Sequence, residues 1–375
     1  MNIISERKCF DSRIKKIFTS PISQKTASFI ILKDVNIYYL TSFYGKDSES
    51  ILLITGDNLY LLVNFIYLEQ ARKSIQNKNV NIVCCKKDKY RKLAKILEDY
   101  SFNSIGVEGK NISFTGFLKL EKLLSGQGKR LVSIDGVVEN LRTVKDKVEI
   151  SKIKNACKIT DKVFGSIINS SAASIEKLSE IELACRIEEL LVKSNSEGRS
   201  FDTIVAYGKN SSMPHYSPQK IKVKGGLMLM DFGCKFENYC SDMTRTIFTG
   251  NLKICNEFKK IYDIVLKAQL LAIENCREGV TCSQLDRIAR KFIISKGYGN
   301  NFGHSLGHGV GIEVHEEPAV TMQNRTVLRE NMVITIEPGI YIENFGGVRI
   351  EDMVIVGKNG CEVLNNSKKS FLILD

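Results

Sequence analysis

The sequence predicts a two-domain α+β protein, and three observations carry that expectation. Its 375 residues, 43% hydrophobic and 26% charged, are enough to build two separate cores. Short apolar runs alternate with amphipathic ones over the first 135 residues or so. Beyond Val137 the pattern shifts to long helical stretches and glycine-rich, strand-like segments. All four histidines fall in this second part, so the unusual chemistry is confined there. We place the boundary near residue 140, giving domains over residues 1–140 and 141–375.

In the first domain, strands are expected at Ala27–Leu32, Ile37–Leu40, Ile51–Thr55, Leu59–Val63 and Ile82–Cys85. Helical patterns at Tyr67–Gln76 and Lys89–Asp99 alternate with them, which suggests a small α/β domain. The second domain opens with a helical stretch over Lys145–Ile168, apolar at Val148, Ile150, Ile153, Ala156, Ile159, Val163 and Phe164. A second helix is expected at Ser179–Ser194. From Phe201 onward strand-like segments dominate, interrupted by helices at Cys255–Cys276 and Cys282–Ser295.

Composition narrows the function classes. Five prolines, 27 glycines and no low-complexity tract exclude a disordered or fibrous chain. No apolar run approaches the roughly 20 residues a membrane-spanning helix needs. Met1–Ile17 is studded with charge and does not read as a signal peptide, so a cytoplasmic location is expected. The 11 cysteines are scattered without a CxxC pair, as free thiols in a reducing compartment would be. The net charge of +12 invites a nucleic-acid hypothesis, but residues 1–140 carry 22 basic against 14 acidic side chains and 141–375 carry 32 against 28. The excess is therefore spread out. The one dense run, Lys86–Lys92, reads as a solvated helix start, and nucleic-acid binding stays a minority reading.

Histidine is concentrated at His215, His304, His308 and His315, the last three within 12 residues. The His304–His308 spacing imitates a helical metal pair, but Gly307, Gly309 and Gly311 each cost a helix interior roughly 1 kcal/mol relative to Ala. An extended, closely approached backbone is the better expectation. Carboxylates add to the pattern. In Leu227–Thr246, a turn over Lys235–Asn238 would set Asp231 directly opposite Asp242, with Cβ atoms roughly 5 Å apart. Near the C-terminus Glu337 and Glu351 are symmetric about Asn344 and could also meet across a turn. Acids inside apolar runs are costly to bury unpaired. Two carboxylate pairs plus histidine suit two divalent ions such as Mn²⁺, Co²⁺ or Zn²⁺, which together activate water for hydrolysis. No G-x-S-x-G elbow is present, which argues against a serine nucleophile.

A set of motifs then points to a family. Phe201–Gly208 with Pro214-His215, Asp231-Phe232-Gly233, Ser241–Thr246, Gly307-His308-Gly309, Val314-His315-Glu316, Glu337-Pro338-Gly339 and Gly347–Asp352 closely resemble the pita-bread metallopeptidases. The best match is their proline-specific branch, the Xaa-Pro aminopeptidases and prolidases. Ile37–Phe43 and Tyr67–Ala71 resemble the creatinase-type domain that precedes the catalytic one, and Arg142–Lys145 the start of the linker helix. The resemblance covers essentially the whole chain and implies a creatinase-like α/β domain followed by a pita-bread catalytic domain.

It also implies roles. Asp231, Asp242, His308, Glu337 and Glu351 would be the ligands of two divalent ions, Mn²⁺ or Co²⁺ ahead of Zn²⁺, with Asp242 and Glu351 bridging. Glu337 would shuttle the proton of the attacking water. His315 would support the tetrahedral intermediate, His215 and His304 would line the pocket around the scissile Xaa–Pro bond, and Arg349 would orient a ligand carboxylate. The substrate would be a proline-containing peptide and the assembly a homodimer. Two departures stand out: Asn64-Phe65-Ile66-Tyr67 replaces the usual Asp-x-Arg-Tyr, and Tyr207 and Tyr216 stand where smaller residues are common.

Methionine aminopeptidase ranks lower, since it normally lacks the N-terminal domain and the Pro-His element. Creatinase relatives lack the five ligands, and a noncatalytic binding module typically loses them. Between aminopeptidase and prolidase the chain length fits both. The reading narrowly favours the Xaa-Pro aminopeptidase, with prolidase as the alternative.

Overall fold

In the computed structural model the described residues are 3–21, 26–56, 58–75, 77, 79–223, 225–249 and 252–374, without the side chains of 3–9 and 252–255. Gln76, at the end of the expected helix Tyr67–Gln76, and the side chains of Cys9 and Cys255 lie outside them. The chain divides into two units, Met1–Arg142 and Thr143–Asp375.

The first unit runs α1 (Ile3–Thr19), β1 (Ser28–Ile31), α2 (Asp34–Thr41), β2 (Ile51–Thr55), β3 (Asn58–Asn64), α3 (Leu68–Ser74), β4 (Val80–Cys85), α4 (Lys89–Leu97), β5 (Ser104–Val107), α5 (Phe114–Ser125), β6 (Arg130–Ser133) and α6 (Val137–Thr143). Its six strands form one mixed sheet in the order β4-β3-β2-β1-β5-β6. Leu93 and Leu97 of α4 and Leu120 and Leu124 of α5 pack on Ile30, Leu53 and Ile105. The basic run at 86–92 starts α4, whose first turn is capped by the Asp88 carboxylate accepting from Arg91 N. One expectation fails: Ile37–Leu40 is helix, inside α2. Val35, Asn36, Ile37, Tyr39 and Leu40 are all buried. A short element enclosed on every side has no polar face, so its apolar run cannot separate helix from strand.

Glu108, which follows β5, anchors α2. Its carboxylate accepts from Leu32 N (2.7 Å), Lys33 N (2.8 Å) and Asn36 Nδ2 (2.6 Å). Burial pushes its acid up from the usual 4.5 to about 7, the donors only partly offsetting that cost. A folded-state value above the unfolded one means stability that is full below about pH 4.5 and lost as pH rises through about 7. The first unit should therefore lose about 3 kcal/mol across that interval. Denaturant melts between pH 4.5 and 8 test this; a Glu108→Gln variant should flatten that part of the profile.

The second unit continues with α7 (Lys147–Ile168), α8 (Ala172–Ile175), α9 (Glu180–Lys193), β7 (Ile204–Tyr207), β8 (Gly226–Asp231), β9 (Lys235–Phe236), β10 (Tyr239–Cys240), β11 (Thr244–Thr249), α10 (Leu252–Asn275) and α11 (Cys282–Ser295). It ends with β12 (Gly307–Gly309), β13 (Glu316–Val320), β14 (Val333–Ile336), β15 (Gly339–Ile342), β16 (Gly346–Arg349), β17 (Asp352–Val356), β18 (Cys361–Val363) and β19 (Ile373–Leu374). A four-stranded sheet, β19-β11-β8-β7, shares a core with the apolar faces of α7 and α9. A five-stranded sheet, β13-β12-β14-β17-β18, packs under α10 and α11. Asp146, Ser179 and Thr281 each cap the helix that follows through a reciprocal capping box.

The hairpin carrying Asp231 has a different register from the one expected. Glu237 and Asn238 both take positive φ (47° and 65°), as a two-residue type I′ turn requires, so Phe236 pairs with Tyr239. The tighter turn shifts every partner by two, and Asp231 faces Thr244 instead of Asp242. In the C-terminal hairpin, Gly339 pairs with Arg349 and Ile336 with Asp352, which keeps Glu337 and Glu351 symmetric about Asn344.

Candidate metal centre

The four-stranded sheet of the second unit meets the β16–β17 segment where the acidic residues lie, β15 and β16 forming a two-stranded sheet of their own. Glu351 N donates to Thr244 O (3.2 Å), and Arg349 N to Thr246 Oγ1 (3.3 Å). Glu337 N donates to Leu306 O (2.8 Å), which ties the turn after β14 to the chain entering β12. At Gly307 a Cβ would overlap Thr335 O and at Gly309 it would overlap Glu317 O, so β12 accepts neighbours closer than any side chain permits. That packing presents His308 between the two glycines.

His308 Nε2 stands 3.3 Å from Glu337 Oε1 and 3.6 Å from Asp242 Oδ2, while Nδ1 donates to Gly309 O at 3.1 Å. The carbonyl holds the Nδ1 proton and turns Nε2 to the acids: protonated, Nε2 bonds Glu337, and deprotonated, its lone pair is free for a cation. Donor atoms of Asp242, His308 and Glu351 all lie within 4.8 Å of one another. Thr244 Oγ1 donates to Glu351 Oε2 (2.6 Å) and Arg349 Nη2 to Asp231 Oδ2 (2.6 Å). Their other oxygens, Glu351 Oε1 and Asp231 Oδ1, are buried and have no hydrogen-bond partner.

Three buried carboxylates and the half-buried Glu337 in one place are electrostatically costly. Burial, and then the charges of Glu351, Asp231 and Glu337, push the Asp242 acid well above its usual range. Burial and the charges of Glu337 and Asp231 do the same to Glu351, and burial raises Asp231 despite Arg349. Glu337 differs: burial works against its charge, but the His308 hydrogen bond and the charges of His308, His304 and Arg349 together outweigh it and hold the acid down to about 2. Two orphaned carboxylate oxygens and an imidazole lone pair converging on mutually repelling acids are what a divalent cation neutralises, so the residues present fit a metal site.

The centre floors a cavity of about 470 Å³ lined also by Phe201, Ile204, His215, Tyr216, His304 and His315. The His315 ring meets that of His308 edge-on at 4.4 Å. His215 is exposed at the wall. His304 lines the cavity, but both its nitrogens are engaged, Nδ1 with Ser305 O (2.8 Å) and Nε2 with Tyr341 Oη (3.0 Å). Arg349 Nη1 donates to the same Tyr341 oxygen at 2.7 Å, so the hydroxyl must donate to His304.

Comparison with known proteins decides the family. Residues 151–358 match the model of metallopeptidase family M24, and 13–144 that of the creatinase/prolidase N-terminal domain. The chain belongs to metallopeptidase family M24. This M24 chain thus joins a creatinase-type N-terminal domain to the pita-bread catalytic domain. It is 37% identical to a Xaa-Pro dipeptidase of Pyrococcus horikoshii over 96% of its length and 99% of the relative's. Among solved structures it resembles a Xaa-Pro dipeptidase from Bacillus anthracis (TM-score 0.89, 32% identity, 97% of this chain and 100% of that one). It also resembles an X-Pro aminopeptidase from Thermotoga maritima (TM-score 0.83, 35% identity, 93% and 98%). Among the described residues, no helix is long and apolar enough to cross a membrane.

Three contributors escaped the sequence reading: Thr244, which bonds Glu351 and receives Arg349 Nε at 2.9 Å; Tyr341; and Glu180, which ties down the Tyr207–Gln219 segment. Thr244 and Tyr341 lie inside or just beyond quoted motifs, yet a hydroxyl gives no signal of its own. Glu180 reads as an ordinary helix-start acid.

Proposed function

We propose that the chain hydrolyses Xaa-Pro dipeptides with a divalent-metal site held by Asp231, Asp242, His308, Glu337 and Glu351. The observation that carries this reading is the buried acid–imidazole cluster at the base of the cavity. The 37% identity to a Xaa-Pro dipeptidase over nearly the full length favours dipeptides over the longer substrates of an aminopeptidase, reversing the narrow preference of the sequence reading. An aminopeptidase is the second reading, favoured by the likeness to the Thermotoga structure.

When bound, the ions supply Lewis acidity, lowering the pKa of water and polarising the scissile carbonyl. Carboxylate-rich donors suit Mn²⁺ or Co²⁺. Glu337, whose Oε1 lies 3.3 Å from His308 Nε2, takes the proton of the attacking water and passes it to the departing proline nitrogen. His308 donates its Nε2 lone pair, its Nδ1 proton spent on Gly309 O. Arg349 fixes the Asp231 carboxylate through Nη2, and His315 and His215 supply imidazole N–H groups on the cavity wall.

Tyr341 holds Arg349 and His304 at once. Removing its hydroxyl in Tyr341→Phe should lower kcat about 10- to 100-fold, since such supporting bonds set the geometry of the groups they orient. Steady-state kinetics check this. The function itself is tested by comparing Ala-Pro with Ala-Pro-Ala, with Mn²⁺ added and with a chelator. Metal-dependent cleavage of the dipeptide alone is the expected result. Cleavage of the tripeptide would favour the aminopeptidase reading, and cleavage of neither would contradict both.

A further inference from the structure

Glu180, the first residue of α9, is completely buried, and both its carboxylate oxygens serve one segment of the cavity wall. Oε1 accepts from Tyr207 N (2.8 Å) and Asn210 Nδ2 (2.9 Å); Oε2 accepts from Tyr216 Oη (2.7 Å) and Gln219 N (3.1 Å). Asn210 Nδ2 also donates to the Tyr216 oxygen at 3.0 Å. The Tyr216 hydroxyl is thereby fixed to the protein, while its ring packs on Ile204, Ala206 and Leu229 and lines the cavity. A ring held at both its polar tip and its apolar face cannot swing aside for a ligand.

The ring stands on the acidic side of the cavity. Ile204, in the cluster it packs on, pairs with Asp231 across β7 and β8, which sets the ring on the side of that carboxylate; Asp202 on the same rim is paired with Arg199 at 2.8 Å. His215 acts electrostatically on both His304 and His315, so the imidazoles gather together. A dipeptide zwitterion placed here turns its ammonium to the acids and its carboxylate to the imidazole N–H donors of His215 and His315 on the cavity wall. The residue bearing the ammonium is the one before proline, and its side chain then meets Ile204 and Tyr216.

We infer that Tyr216, clamped by Glu180, sets the size of the residue accepted before proline. The inference rests on the Xaa-Pro reading and deepens it. Apolar pockets discriminate by about 10- to 200-fold per methylene-scale change, so the effect is measurable in kcat/KM ratios.

The test compares Phe-Pro with Gly-Pro in the full-length metal-loaded protein. Tyr216→Ala should raise the Phe-Pro to Gly-Pro ratio about tenfold and Tyr216→Trp should lower it by a similar factor. Tyr216→Phe, which keeps the ring, should stay within about threefold of the wild-type ratio. Opposite shifts from a smaller and a larger side chain are not produced by loosened folding, and if Tyr216→Ala does not fold the Trp and Phe variants still decide. Ratios unchanged in Ala and Trp, or shifted in the same direction, overturn the inference while leaving Xaa-Pro hydrolysis intact. A wild-type protein that cleaves no Xaa-Pro dipeptide overturns both.

Discussion

Glu351→Gln is expected to lower kcat/KM for Ala-Pro by about 10³-fold or more, with bound metal falling in parallel. Glu351 is 1% exposed, its Oε2 accepts from Thr244 and its Oε1 is buried and unbonded. Its backbone is held independently, through Glu351 N to Thr244 O and Glu351 O to the Arg245 guanidinium, which also grips Asp352 at 2.6 Å. Gln matches Glu in volume and keeps an acceptor for Thr244, so the fold should persist. The variant also removes one of several mutually repelling buried charges. Its metal-free melting temperature should therefore equal or exceed that of the metal-free wild type, while its gain on adding Mn²⁺ should shrink. Calorimetry with and without metal, alongside kinetics and metal counting, separates this from simple misfolding. An inactive variant that also melts far lower in the metal-free state would mean that Glu351 is structural.

Arg349→Met carries the second large effect. The guanidinium is buried, with Nη2 on Asp231, Nε on Thr244 and Nη1 on Tyr341. Breaking a buried charged pair from one side strands the partner, typically at 3–5 kcal/mol. Removing Arg349 leaves Asp231 without its counter-charge beside Glu337 and Asp242, so urea unfolding of the metal-free variant should fall by about that amount. Activity should fall at least 100-fold, because ligand orientation and the Tyr341–His304 link are lost together. Arg349→Lys should restore little, since a single ammonium cannot reproduce three diverging contacts. Full activity in Arg349→Lys would show that charge alone, and not geometry, is the contribution of this residue.

How much of this was legible in the sequence depended on whether a local pattern or a distant partner set each feature. The long helices α7, α9, α10 and α11 declared themselves by apolar periodicity, and three carry the reciprocal caps their first residues encode. The extended path through His308 followed from Gly307 and Gly309. By contrast, α2 was read as a strand because tertiary enclosure on all sides erased the polar face that marks a helix. The Asp231 hairpin slipped by two positions because Glu237 and Asn238 adopt a I′ turn without the glycine that usually announces it. Acids and histidines of the candidate site were conspicuous in apolar or glycine-rich runs. The hydroxyls and the anchoring acid that hold the site, Thr244, Tyr341 and Glu180, were silent because each has a partner 27 to 107 positions away, Arg349 alone lying close to Tyr341 in the chain, at 8 positions.

The most direct test of the account is to strip the protein with a chelator, add back Mn²⁺, and follow Ala-Pro hydrolysis and bound metal per chain together. The account predicts no hydrolysis in the stripped protein and recovery that rises with metal bound at the acid–imidazole centre, with Glu351→Gln failing to recover. Hydrolysis that survives stripping, or recovery unaffected by that substitution, would contradict it.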